Sequence, residues 1–265
     1  MNFETLTLTH DDLCAEIVPA RGAIVSRLSV RGTEVLYMDR STLDDLSKNV
    51  RGGIPILFPY AGKLDNDTLV CSGTKMKQHG FGRNMAWTVE EQAFAGARMS
   101  LKSDADTRAL YPFDFSAEYS VFLLPFGLQI ELQVVNTGKA PLPLSPGWHP
   151  YFNCVGPLKN QARGDVPGFL GDVLGNEREF DFGLLAPQTG RANFTVPGLG
   201  KMRLSYSPEM RHLQFWSQPG KDFFCIEPFC GPNNTINTPQ RLELAPGDRK
   251  VLWARIEIGG TDSQH

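Results

Sequence analysis

No stretch of this chain reaches the roughly 18 consecutive apolar residues that a membrane-spanning helix needs. The start, MNFETLTLTHDDL, is acidic and polar, without the basic head and apolar run of a secretory leader. A basic excess is lacking as well: 26 Lys and Arg stand against 29 Asp and Glu, a net charge of -3. Nucleic-acid binders usually carry the opposite balance, so neither nucleic acid nor a membrane is an expected partner. Cysteine is scarce and badly arranged for pairing. Cys14, Cys71, Cys154, Cys225 and Cys230 are odd in number, widely spaced and free of any CxxC. That argues against a disulfide framework and for a reducing, cytoplasmic setting. Buried strand thiols are expected at all five. Helical periodicity is rare too. STLDDLSKN, residues 41–49, is the one short helix the pattern supports, with Ser41 or Thr42 as its cap.

What the chain does have is period-two alternation. In GLQIELQVVNTG, Leu128, Ile130, Leu132 and Val134 fall on one face, with Gln129, Glu131 and Gln133 on the other. Asn136-Thr137-Gly138 then turns the chain. RKVLWARIEI places Leu252, Ala254, Ile256 and Ile258 together after the turn Pro246-Gly247-Asp248. FSAEYSVFLL does the same with Phe115, Ala117, Tyr119 and Val121, and Arg31-Gly32-Thr33 marks a hairpin. The 26 Gly and 19 Pro are spread as punctuation, with no linker and no internal repeat. The 265 residues, 41% of them hydrophobic, are therefore expected to form a single all-β domain over 1–265, with 259–265 a loose tail.

Four segments carry chemistry. KQHGFGR, residues 77–83, sets Gln78, His79 and Arg83 around Gly80 and Gly82, glycines that permit positive φ and close approach of a ligand. RGGIPILFPYAGK presents Arg51, whose planar guanidinium suits hydroxyls, carboxylate or phosphate. LSPGWHPYFN holds His149 before a proline, which favours an extended backbone, beside Trp148, Tyr151 and Phe152 that suit a sugar face. DFFCIEPFCGPNNTINTP places Glu227 at the end of an apolar run. A buried carboxylate has a raised pKa and makes a competent base near neutral pH. Each segment alone also has a plain structural reading: a solvated turn, an exposed strand-start arginine, a core histidine, or a Glu227 bridge to Arg51 or Arg83. His79, His149 and Glu227 would make a two-histidine, one-carboxylate metal set. The close HxH or HxD pair that such sites use is missing.

Taken together, RGGIPILFP, QHGFGR, WHPYF and CIEPF, in that order and spacing, resemble the aldose 1-epimerase (mutarotase) superfamily, and most of all its hexose-6-phosphate branch. The likeness spans roughly residues 10 to 258. It implies a large antiparallel β-sandwich of the galactose mutarotase type that needs no metal or other cofactor. It also implies that His149 is the general acid and Glu227 the general base for opening and closing a sugar ring. Arg51, Gln78, His79 and Arg83 match substrate-binding positions, and Asp181 in FDFGLLAP stands near the family's sugar-binding aspartate. Lys63 occupies a position where the family usually has arginine, and Trp148 one where it has glycine. The implied partner is a small-molecule sugar or sugar phosphate, met by a monomer or homodimer. A carbohydrate-binding sandwich without turnover is the alternative built from the same residues.

Overall fold

The computed structural model describes residues 3–166 and 178–259; residues 260–265 of the expected tail lie outside the described residues. Two large antiparallel sheets carry the fold. The first has eight strands in the spatial order Arg163–Gly164, Arg191–Val196, Gly200–Tyr206, Arg249–Ile258, Gly127–Asn136, Phe115–Leu124, Gly96–Lys102 and Thr88–Gln92. The second runs Phe180–Leu185, His212–Ser217, Phe223–Phe229, Gly147–Trp148 and Ile56–Leu57, and Tyr151–Asn153 also pairs with Phe223–Phe229. A four-stranded sheet, Leu6–His10, Leu13–Val18, Ile24–Val30 and Thr33–Glu34, completes the frame. Its last turn has positive φ at both Arg31 and Gly32, 49° and 76°, the geometry that a two-residue hairpin prefers.

Alternation explains the larger sheet directly. Leu128, Ile130, Leu132 and Val134 are at most 1% exposed, and Leu132 lies in register with Tyr119 on one side and Leu252 on the other. Each such side chain contributes about 1.5–3 kcal/mol by leaving water. A single apolar cluster joins the inner faces of the two sheets. It holds Leu132, Val134, Leu252 and Ile256 from one, and Phe152, Phe215, Phe224 and Ile226 from the other.

Two local expectations change. The helix expected over 41–49 is one turn, Arg40–Leu43, and its cap is Asp39, whose Oδ1 accepts from the Ser41 backbone N–H at 3.1 Å. The buried Arg21 guanidinium donates to the carbonyls of Thr42, Asp45 and Lys48, which a longer helix would need for itself. A second helix, Ala105–Leu110, starts on a capping box between Asp104 and Thr107. Of the cysteines, Cys154, Cys225 and Cys230 are buried, but Cys14 is half-buried and Cys71 is exposed. Cys71 sits in the tight turn between Thr68–Leu69 and Thr74–Lys75, whose tip faces solvent. Among the described residues no helix is long and apolar enough to cross a membrane.

Candidate functional site

The second sheet builds the site. Phe223–Phe229 is buried at all seven positions, because both of its faces are covered. Its alternate residues part company. Phe224 and Ile226 join the shared core, while Phe223 and Cys225 pack with Tyr151 and Trp216 on the opposite face. Glu227 has the parity of Cys225 and so faces away from the core, yet it is only 2% exposed. His149 lies between Gly147–Trp148 and Tyr151–Asn153, its backbone N–H bonded to the Pro55 carbonyl. Its ring stacks on Tyr151, with centroids 4.6 Å apart and planes 9° apart, and meets Trp216 edge-on. This packing brings His149 Nε2 to 3.4 Å from Glu227 Oε2.

A cavity of about 220 Å³ opens over this pair. Arg51, Gln78, His79, Arg83, His149, Asp181 and Glu227 all line it, although they come from five separate stretches of the chain. Its floor, His79, His149 and Glu227, is buried, whereas Arg51, Gln78 and Asp181 on the rim are exposed. The Arg51 guanidinium lies 5.2 Å over the Trp216 ring. Arg83 donates to the Gln78 carbonyl at 3.0 Å, and burial brings it down to about 10. Among the described residues, neither arginine has a carboxylate partner within ion-pair distance.

His79 occupies the left-handed region, φ +69°, which is uncommon for a residue with a side chain. Two bonds to Gly62 hold it there: the Gly62 N–H donates to His79 Nδ1, and the His79 N–H to the Gly62 carbonyl, both at 2.9 Å. Because Nδ1 accepts, the neutral ring carries its proton on Nε2. Burial, Arg83 and His149 keep the ring neutral by pushing it well below the usual imidazole range. Of the neighbouring glycines, Gly80 takes the expected positive φ, +64°, and the close approach that both permit is to the chain itself. A Cβ at Gly80 would stand 2.3 Å from the Phe58 carbonyl oxygen, and one at Gly82 2.8 Å from Phe58 Cβ. They make room for the Phe58–Pro59 backbone rather than for a ligand.

Burial pushes Glu227 well above the usual carboxylate range; the Asp181 charge adds to this and Arg83 opposes it. Burial, then Arg83 and Arg51, hold His149 well below its ordinary value. At 3.4 Å the two have the spacing of an ion pair, but burial favours the neutral forms of both. We therefore treat them as a couple that titrates together. The Sγ of Cys225 also lies within 4.8 Å of ligand atoms on His149 and Glu227. Burial raises this thiol well above its ordinary range, and Arg51, Arg83 and Lys63 share the cavity. Both the proton cost and the cation repulsion oppose a divalent ion there. His79 stands apart from that trio, with its Nδ1 already engaged by Gly62.

The chain belongs to the aldose 1-epimerase family. The family model matches residues 4–256. The Slr1438 protein of Synechocystis sp. PCC 6803 is 31% identical, with a TM-score of 0.91 and 97% of this chain and 96% of that one covered. A galactose mutarotase-like protein from Lactobacillus casei ATCC 334 shares the fold at TM-score 0.78 and 22% identity, covering 96% of this chain and all of its own. A curated plant relative from Cenchrus ciliaris, named "Putative glucose-6-phosphate 1-epimerase", is 28% identical over 153 residues, 52% of this chain and 43% of its own length. The chain spans about half the length of the curated relatives it matches.

Within this aldose 1-epimerase fold, several cavity residues carry no flag in the sequence. Gln214 and Trp216 come from His212–Ser217, and Gln214 stands in register with Glu227. Glu179 accepts from Trp216 Nε1 at 2.8 Å, and Asn233 accepts the Lys63 backbone N–H at 2.9 Å. The aromatics beside His149 divide differently from expectation. Trp148 and Phe152 belong to the main core, Tyr151 lies against the His149 ring, and Trp216 is the aromatic that lines the cavity. Strand alternation is the cause, since Trp148 and His149 point to opposite sides.

Proposed function

We propose that this protein is an isomerase that interconverts the α and β anomers of an aldohexose or a hexose 6-phosphate. One observation carries the reading: a buried histidine and a buried glutamate, 3.4 Å apart, form the floor of a cavity that Arg51 and Arg83 also line. At about 220 Å³ the cavity is below the roughly 300–1,000 Å³ of drug-sized sites, which suits a single monosaccharide. Glu227 takes the proton from the anomeric hydroxyl O1. His149 gives a proton to the ring oxygen O5, and the C1–O5 bond breaks to leave an aldehyde. Rotation about C1–C2 presents the other carbonyl face, and the reverse transfers close the ring. One proton shuttles through the couple, so the charge of couple plus sugar is constant throughout. The step runs from the ionised arrangement of the couple, Glu227 carboxylate and His149 imidazolium, which holds the same number of protons as the neutral pair. In that arrangement a histidine held low is a ready donor and a glutamate held high a ready acceptor, in the direction that ring opening requires.

The neutral His79 Nε2–H and the Arg83 guanidinium are donors for sugar oxygens. Arg51 and Arg83, without carboxylate partners among the described residues, suit a 6-phosphate, in keeping with the name of the Cenchrus ciliaris relative. Anomer exchange followed by NMR on glucose, galactose and glucose 6-phosphate tests the proposal. Exchange of one sugar faster than in buffer is expected, together with its loss in Glu227→Gln. Binding without accelerated exchange would instead make the protein a carbohydrate-binding sandwich.

A further inference from the structure

One buried histidine takes no part in the ring-opening step. His212, 8% exposed, sits behind the cavity wall and stands in register with Phe229, whose ring it overlies at 6.1 Å and 26°. Its Nε2 lies 2.9 Å from Gln214 Oε1, and Gln214 Nε2 donates to Asp181 Oδ1 at 2.5 Å. The protons in this chain are dictated from one end. An ionised carboxylate only accepts, so the Gln214 amide must turn its nitrogen toward Asp181. Its oxygen then faces His212, and His212 must carry its proton on Nε2. Burial keeps His212 neutral by lowering it, which leaves one ring proton to place.

Gly183 makes this arrangement possible. It lies in Phe180–Leu185, in register with Gln214. A Cβ there would stand 2.1 Å from His212 Cε1, 2.2 Å from His212 Nε2 and 2.7 Å from Gln214 Oε1. The imidazole and the amide therefore occupy the space that any other residue would fill with its own side chain. The result is a fixed donor aimed at a carboxylate that is itself exposed on the rim.

We propose that His212 and Gln214, accommodated by Gly183, form a positioning relay that holds the Asp181 carboxylate in place as an acceptor for a sugar hydroxyl. The relay rests on the reading of the cavity as a sugar site. Gln214 fixes one carboxylate oxygen, which leaves the other for the hydroxyl. His212 touches no sugar; it sets which way the Gln214 amide points.

The test reads KM and kcat for anomer exchange on the sugar that the protein prefers. Asp181→Asn is expected to raise KM about tenfold, as for loss of a charge-assisted hydrogen bond. His212→Phe and Gly183→Ala should each raise KM by a similar factor with kcat nearly constant, because ring opening itself is untouched. His212→Gln, which keeps an N–H at the same reach, should restore most of the loss. On the Asp181→Asn background, His212→Phe should add little, since the pair acts as one unit. Full additivity, or a His212→Gln variant as impaired as His212→Phe, would overturn the relay. So would an unchanged KM in Asp181→Asn when Glu227→Gln abolishes exchange. An unaffected rate in Glu227→Gln is the separate failure of the catalytic reading. The nitrogen-15 shifts of the His212 ring test the relay whatever the turnover, and a proton on Nδ1 would refute it.

Discussion

The strands Gly127–Asn136 and Phe223–Phe229 both lie inside a sheet, yet they dispose of their polar residues on opposite terms. In the first, Leu128, Ile130, Leu132 and Val134 are buried and the intervening Gln129, Glu131 and Gln133 are half-buried, with polar partners on neighbouring strands such as Arg255 with Gln129. In the second, every residue is buried, Glu227 included, and Glu227 has another titratable group as its close neighbour. The first strand stabilises the molecule at no electrostatic cost. The second places a carboxylate where burial opposes its charge, and a stability argument alone gives no reason to keep it. The difference teaches where to look for function: at the position where local chemistry works against the fold.

The comparison breaks most sharply in catalysis. Glu227→Gln is expected to slow anomer exchange about 10²–10⁴-fold, the usual share of one positioned acid or base, with the fold intact. Leu132→Ala should do the reverse. It should lose about 2–5 kcal/mol of stability in urea unfolding, while exchange per folded molecule stays close to wild type. If the leucine variant lost activity in step with the glutamine variant, the division of labour between the two sheets would be wrong.

A pH titration of stability sharpens the same contrast. Folding raises the pKa of Glu227, so the folded protein holds this proton more tightly than the unfolded chain. Where the folded state binds more protons, stability falls as pH rises. The Glu227 contribution is therefore present at low pH and is lost as pH climbs from about 4.5 toward the raised value. His149, lowered by folding, slopes the other way, losing stability as pH falls below its ordinary value near 6.5. Subtracting Glu227→Gln from wild type gives the part of the couple's slope that depends on the Glu227 carboxyl. The variant should match wild type below about pH 4.5 and become the more stable of the two as pH rises. A difference that does not vary with pH would mean that Glu227 ionises freely in the folded state.

The two strands were not equally legible. Alternation alone marks Gly127–Asn136, Phe115–Leu124 and Arg249–Ile258, because a half-buried sheet face imposes its period on the residues. Glu227 stands out too, since a carboxylate inside FFCIEPF contradicts its surroundings. Gln214 and Trp216 do not, because HLQFWS is an ordinary strand and meets Glu227 only through a register that the sequence does not print. The Lys63–Asn233 contact joins residues 170 apart, and the shortening of the helix at 41–49 depends on Arg21 reaching across from another segment. Local pattern reveals what each stretch prefers; which stretches meet is decided by packing.

The smallest effect tests the one strained residue on the cavity floor. His79 holds φ +69°, while its neighbour Gly80 holds +64° with the Phe58 carbonyl directly against it. Asparagine tolerates the left-handed region better than most residues. Its amide oxygen stands where Nδ1 does and can still accept from the Gly62 N–H, but the side chain does not reach Nε2. His79→Asn therefore eases the backbone and gives up the packing of the ring against His149 and Phe229. The two terms oppose each other, each of order 1 kcal/mol. Stability should therefore move by less than about 1 kcal/mol in either direction. Sugar affinity should still weaken, because the Nε2–H donor is gone. Urea unfolding and sugar titration on the same sample separate the two effects. A loss of several kcal/mol with affinity retained would make His79 a structural pin for Gly62, and would remove it from the sugar site.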